Sequence, residues 1–193
     1  MDFFENNRAI YFAKFRGDAI IPRKDRENAG YDIYACLEDD IMIIPAYKTG
    51  LVPTGIGWAC SEDFYMQIEE RSSTGVKGLK RSAGVIDSGF RGEIKVAIFN
   101  ANDVPLVIAN VGEQDVRKAY PDLDKFVFYS TCHAIAQGVI HKVEDMQPKE
   151  ISLQALQSIP STRGEDAFGS TNKKPEKTKS ELQKAIRAIR DRL

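Results

Sequence analysis

Between Gly84 and Val96 the chain reads Gly-Val-Ile-Asp-Ser-Gly-Phe-Arg-Gly-Glu-Ile-Lys-Val, which sets one carboxylate, Asp87, beside an aromatic ring, Phe90, and a guanidinium, Arg91. Glycines at 84, 89 and 92 let bare backbone approach a ligand, and a carboxylate at the mouth of a hairpin can be desolvated enough to act as a base. The chemistry predicted is proton abstraction in a nucleotide-sized pocket. The same residues also suit a plain glycine turn whose Asp satisfies backbone N–H groups.

Further segments carry groups suited to phosphate. Arg71-Ser72-Ser73 follows a predicted strand, where a turning backbone can aim N–H groups at phosphate oxygens beside the guanidinium fork. A solvated surface turn is the alternative. Arg163-Gly-Glu-Asp-Ala-Phe168-Gly-Ser-Thr171 has the composition of a phosphate-gripping tail: Arg163 as cation, Gly169, Ser170 and Thr171 as donors, and Phe168 to stack on a base. A disordered loop has the same composition. Asp32, after Gly-Tyr, suits a turn residue bonding its own backbone. His133 and His141 read as satisfied strand or loop residues, because no paired cysteine or carboxylate spacing accompanies them.

The elements that must position these residues are β-rich runs: Ile10 to Phe15, Ile41 to Ile44, Leu51 to Cys60, Phe64 to Glu69, Glu93 to Asn100, Phe126 to Ser130 and Ile135 to Val143. Phe64, Met66 and Ile68 alternate with Tyr65, Gln67 and Glu69, and Ile94, Val96 and Ile98 with Lys95, Ala97 and Phe99, the period of a half-buried strand. Many short strands between turn signals predict a sandwich or jelly roll. Asn102 to Asp124 reads as an added, charged stretch with a short helix around Gln114 to Tyr120. Asn172 to Lys179 reads as a solvated linker, and Ser180 opens a basic amphipathic helix with Leu182, Ala185, Ile186, Ile189 and Leu193 on one face.

The chain has 193 residues, 27 Lys and Arg against 28 Asp and Glu, and a formal charge of -1, which argues against a broad nucleic-acid footprint. Cys36, Cys60 and Cys132 are an odd set without CxxC spacing, Met1-Asp-Phe-Phe-Glu lacks the layout of an export signal, and no apolar run is long enough to span a membrane. A soluble, cytoplasmic protein with reduced thiols is expected.

Five segments in order resemble the motif set of the deoxyuridine triphosphatases (dUTPases): Ala29-Gly-Tyr-Asp32-Ile-Tyr-Ala35; Arg71-Ser-Ser-Thr-Gly-Val-Lys-Gly78; Gly84 to Val96; Ile135-Ala-Gln137 with Val139-Ile140; and Arg163 to Thr171. Leu51-Val-Pro-Thr-Gly-Ile56 is similar too, so that the resemblance spans roughly Phe12 to Thr171. It implies an all-β fold, a distorted jelly-roll or β-clip barrel, here with a short insert and a C-terminal helix. The expected layout is a β domain over 1–160 with the insert near 102–124, a tail motif over 161–171, and linker plus helix over 172–193.

The resemblance also implies roles. Asp87 would orient and deprotonate a water that attacks the α-phosphorus of dUTP, giving dUMP and pyrophosphate, which keeps uracil out of DNA and supplies dUMP for thymidylate synthesis. Arg71, Ser72 and Ser73 would contact the α- and β-phosphates, Gln137 would reach a phosphate, and Arg163 would take the γ-phosphate. Asp32 would hold Mg2+ through water. Backbone at Ala83, Gly84, Val85 and Ile86 would read uracil, while Phe90 would lie on the deoxyribose and exclude a 2'-hydroxyl. Each site would be shared by the chains of a homotrimer, with motifs one, two and four on one chain, the third on a neighbour and the tail from the last.

Some positions depart from the family pattern. Phe90 stands where Tyr is usual, and Glu165, Asp166 and Ala167 replace glycines. Cys132-His-Ala134 stands in place of Gly-Asp-Arg, whose lost support is expected from the added segment. Ala97 stands where the related dCTP deaminases carry their glutamate, so deamination is not expected. A second reading is a nucleotide-gated interaction protein with a protein partner at the insert or the C-terminal helix.

Overall fold

Apolar alternation makes strands where the residues predict them, and the edges of those strands show how the rest folds. The computed structural model describes residues 9–164 and, beyond them, Gln183, Arg187 and Arg190. In the first half lie β1 (Tyr11–Lys14), β2 (Gly30–Tyr34), β3 (Ile41–Ile44), β4 (Thr49–Pro53), β5 (Ile56–Ala59), β6 (Phe64–Glu69), α1 (Ser72–Gly75), β7 (Leu79–Arg81) and β8 (Val85–Ile86). There follow β9 (Lys95–Asn100), β10 (Leu106–Ala109), α2 (Glu113–Ala119), β11 (Val127–Ser130), β12 (Ala134–Lys142) and α3 (Leu153–Ser158).

The strands form sheets in the orders β1-β5, β11-β10-β3, β2-β12-β6-β8 and β4-β9-β7, and among the described residues only β10 and β11 pair in parallel. The fold is all-β and jelly-roll-like. Ile33, Ile44, Val52, Ile56, Met66, Ile68, Ile94, Val96, Ile108 and Ile135 meet in one core. Each contributes roughly 1.5–3 kcal/mol by leaving water, so the core, not the short ladders, holds the sheets together.

The structure corrects several expectations. The run Leu51 to Cys60 is two strands, because the chain turns at Gly55 (φ 65°), whose N–H donates to Glu93 Oε1 at 2.8 Å. Apolar spacing persists across that turn and so conceals it. Nor do the two sides of the Gly84 to Val96 segment pair as a hairpin: β8 joins β6, whereas β9 joins β4 and β7. Ser82 N–H donates to the Ala97 carbonyl, so β7 and β9 are the true arms and the Asp87 turn lies in the excursion between them. Leu106–Ala109, inside the stretch read as added, is fully buried as the middle strand of its sheet. The helix expected near 114–120 is α2, whose Val116 packs with Val107 and Ala109.

The chain divides into two compact units, Met1–Asp145 and Met146–Leu193, where the sequence reading carries the β domain to residue 160. In the second unit the Ser152 side chain caps α3, accepting the Ala155 N–H at 3.1 Å, and Leu153 and Leu156 are exposed. Gln183, Arg187 and Arg190 have helical backbone and are exposed, the spacing of a polar face; the apolar positions of the expected helix and the expected linker at 172–179 lie outside the described residues.

Candidate active site

Strand pairing gathers three of the expected site residues at one place. Gln137 on β12 lies opposite Asp32 on β2 and, on its other side, Glu69 on β6; Arg71 is two residues beyond the end of β6. Arg71 Nε sits 3.1 Å from Asp32 Oδ1, and Arg71 Nη1 donates to the Ala134 carbonyl at 3.2 Å. The turn is closed by Thr74, buried, whose hydroxyl oxygen accepts the Arg71 N–H at 3.0 Å and whose O–H donates to the Arg71 carbonyl at 2.8 Å. Ser72 and Ser73 form the exposed first turn of α1. A half-exposed ion pair of this kind contributes about 0–1 kcal/mol, so the Asp32–Arg71 pair orients the guanidinium more than it stabilises the fold.

The Gln137 amide N–H donates to the Glu70 carbonyl at 2.8 Å, bracing the residue before Arg71. Its side chain fits because position 30 is glycine; a Cβ there would stand 2.7 Å from Gln137 Oε1. Glu70, which sequence reasoning passes over as a strand end, accepts the Arg81 N–H at 3.0 Å and Lys80 Nζ at 3.3 Å. That backbone N–H, with Lys80, holds the Glu70 carboxyl below the usual carboxylate range against a smaller opposing effect of burial. Tyr129, also missed, donates its O–H to the Ala134 carbonyl at 2.6 Å.

Asp87 and Phe90 lie at the far edge of this sheet, beyond β8. The Phe90 N–H donates to the Asp87 carbonyl at 3.1 Å, closing the turn, and both side chains are exposed. The desolvation expected at Asp87 is therefore not made by the described residues of this chain: the loop bulges out from between two sheets. Val85 is 61% exposed, Ala83 is exposed, Ile86 is half-buried, and the Gly84 carbonyl accepts the Ile68 N–H at 2.7 Å. A Cβ at Gly84 would meet the Ile68 carbonyl oxygen at 2.7 Å, so the chain passes β6 only as glycine. Gly84→Ala should cost about 1–3 kcal/mol and lower Tm by about 3–10 °C; an unchanged calorimetric melting curve would contradict the close approach.

Asp32 and Asp87 do not meet within the chain. Ile86, Met66 and Ile140 are level, as are Asp32 and Gln137, so the two acids differ by three strand spacings and four residues along the sheet. At about 4.8 Å per strand and 3.3 Å per residue the separation is about 19 Å.

His141 stacks on Tyr65 with ring centroids 5.3 Å apart, and His133 stands edge-on to Tyr129 at 6.4 Å. Among the described residues no group of three His, Cys, Asp or Glu is placed to ligate a metal directly. The Arg71 guanidinium occupies one side of the Asp32 carboxylate, so that group suits a cation held through water better than one bound directly. Arg163 is described, in the second unit; Phe168, Gly169, Ser170 and Thr171 lie outside the described residues.

The all-β scaffold gathers a guanidinium, two exposed serines, a carboxylate and an amide at one sheet end, with an acid-bearing glycine loop at the edge, groups of the kind that a nucleotide-binding hydrolase uses. The dUTPase family model matches residues 18–113. The deoxyuridine 5'-triphosphate nucleotidohydrolase of Candida albicans is 35% identical over 146 residues, 75% of this chain and 76% of that protein. The solved dUTPase of Staphylococcus bacteriophage 80alpha with dUPNHPP superposes with a TM-score of 0.66 at 19% identity, covering 86% of this chain and 99% of that one. A mutant dUTPase from phage phi11 of S. aureus, described with a structural Mg(II) ion, superposes with a TM-score of 0.58 at 16% identity over 74% and 96%. The chain belongs to the dUTPase family.

Proposed function

We propose that the chain hydrolyses dUTP to dUMP and pyrophosphate in sites that combine Asp32, Arg71 and Gln137 of one chain with Asp87 and Phe90 of another. The observation that carries the reading is the Asp32–Arg71 contact at 3.1 Å beside Gln137, a preorganised cradle for phosphate oxygens. The separation of about 19 Å between Asp32 and Asp87 supports a homotrimer with shared sites, because a base that serves the phosphate in this cradle must come from a second chain. Burial of the exposed Asp87 loop in such an assembly would supply the desolvation that the single chain lacks.

In this reading the Arg71 guanidinium and the Ser72 and Ser73 hydroxyls hold the α- and β-phosphates, and Arg163 with the tail residues Phe168, Gly169, Ser170 and Thr171 closes over the substrate. Asp87 takes a proton from the water that attacks the α-phosphorus, and the α–β bridging oxygen leaves with pyrophosphate. A magnesium ion, held by Asp32 through water, would neutralise charge on the phosphate oxygens. Ala83, Gly84, Val85 and Ile86 present the backbone that reads uracil, and Phe90 leaves no room for a 2'-hydroxyl. Ala97, buried in β9 opposite Leu51, carries no carboxylate for deamination. No helix among the described residues is long and apolar enough to cross a membrane.

The test is pyrophosphate release from dUTP, dCTP, dTTP and UTP with magnesium. Turnover of dUTP alone is expected, because each buried polar group that a wrong base leaves unpaired costs about 1–3 kcal/mol. Equal rates on UTP would refute Phe90 as the sugar gate, and ammonia release from dCTP would overturn the expectation that deamination is absent.

A further inference from the structure

We propose that Tyr129 is a positioning residue of the phosphate cradle: its hydroxyl pins the Ala134 carbonyl, and that carbonyl fixes the Arg71 guanidinium. The inference rests on the dUTP-hydrolase reading of the cradle. Tyr129 lies in β11, 3% exposed, and a phenol so buried must find a hydrogen-bond partner. Its O–H donates to Ala134 O at 2.6 Å, and the same carbonyl accepts Arg71 Nη1 at 3.2 Å. Arg71 Nε meets Asp32 at 3.1 Å on its other side. The guanidinium is thus held between a carboxylate on β2 and a carbonyl at the start of β12. That carbonyl is itself fixed across the β11–β12 turn, where the His133 N–H donates to Ser130 O at 3.1 Å.

The position matters because the turn carries Cys132-His133-Ala134, and neither Cys132 nor Ala134 offers a charged side chain to brace the arginine. Tyr129 supplies the brace from the preceding strand. Its ring is located in turn by Lys77, whose Nζ stands 5.5 Å over it, and by the edge of His133. Burial pushes the phenol's titration upward, while the Ser73 hydroxyl and the Arg71 guanidinium approach its oxygen and oppose that shift. A plain core residue needs none of this, since phenylalanine fills the same volume.

Tyr129→Phe separates the two roles because it keeps the ring and removes only the hydroxyl. The expected result is a KM for dUTP raised about tenfold with kcat within about twofold, and a parallel loss of affinity for inorganic pyrophosphate by calorimetry. In an Arg71→Lys background, which has lost the fork that reaches Ala134, the same change should have little further effect. A parent-like KM and a parent-like pyrophosphate affinity in Tyr129→Phe would overturn the inference and leave the residue as core filler. Should the parent release no pyrophosphate from dUTP, the substrate reading fails while the pyrophosphate titration still decides Tyr129; no pyrophosphate binding by the parent overturns both.

Discussion

Asp87→Asn should cut pyrophosphate release from dUTP by about 10²–10⁴-fold while leaving affinity for a non-hydrolysable dUTP analogue near the parent's. Asparagine matches aspartate in shape but cannot take the water's proton, so the loss falls on kcat. The fold gives no reason for a second effect. Asp87 is exposed, the bond that closes its turn uses the backbone carbonyl, and no described side chain partners the carboxylate. A stability change within about 0.5 kcal/mol is expected for such a surface position. Single-turnover kinetics and analogue titration separate the outcomes. Residual turnover within a few-fold of the parent would remove Asp87 from the chemistry, whereas an equal loss of analogue binding would make it a binding residue instead.

What could be read before the fold was known follows from range. Phe64–Glu69 is a strand at the bounds its alternation sets, because a period of two needs only neighbouring residues, and the short apolar run Ile41–Ile44 is a strand at its expected bounds. β7 and β8 are too short to show a period, and β10 is masked by charged sequence on its C-terminal side. β2 is concealed by Asp32, a turn-former that here sits mid-strand because β12 pairs along it. The site divides the same way. Arg71, Ser72 and Ser73 are recognisable as a local turn with donors, but the approach of Asp32 to Arg71 depends on the register of β2, β12 and β6, which no local pattern encodes. Tyr129 is harder still: nothing distinguishes it from a core aromatic until it and Arg71 are seen to share the Ala134 carbonyl.

Two inactive variants should restore each other. Arg71→Ala removes charge-assisted donors from the cradle and is expected to lower kcat/KM by about 10²–10³-fold, the scale of losing a preorganised electrostatic contact. It should still fold, because the half-exposed pair with Asp32 contributes little stability and Asp32 remains open to water. If Asp87 served the cradle of its own chain, mixing Arg71→Ala with Asp87→Asn would leave every site damaged. With sites shared between chains, a mixed trimer contains sites where the Asp87→Asn chain supplies Arg71 and the Arg71→Ala chain supplies Asp87. Random assembly at equal amounts makes about a quarter of all sites intact, so co-expression should recover about a quarter of parent turnover from two nearly silent components. Activity that stays at the sum of the separate variants, in a preparation shown by native mass spectrometry to contain mixed trimers, would place both residues in one chain's site. It would also require the Asp87 loop to cross about 19 Å to reach the cradle, past the β12 and β6 strands that now separate them.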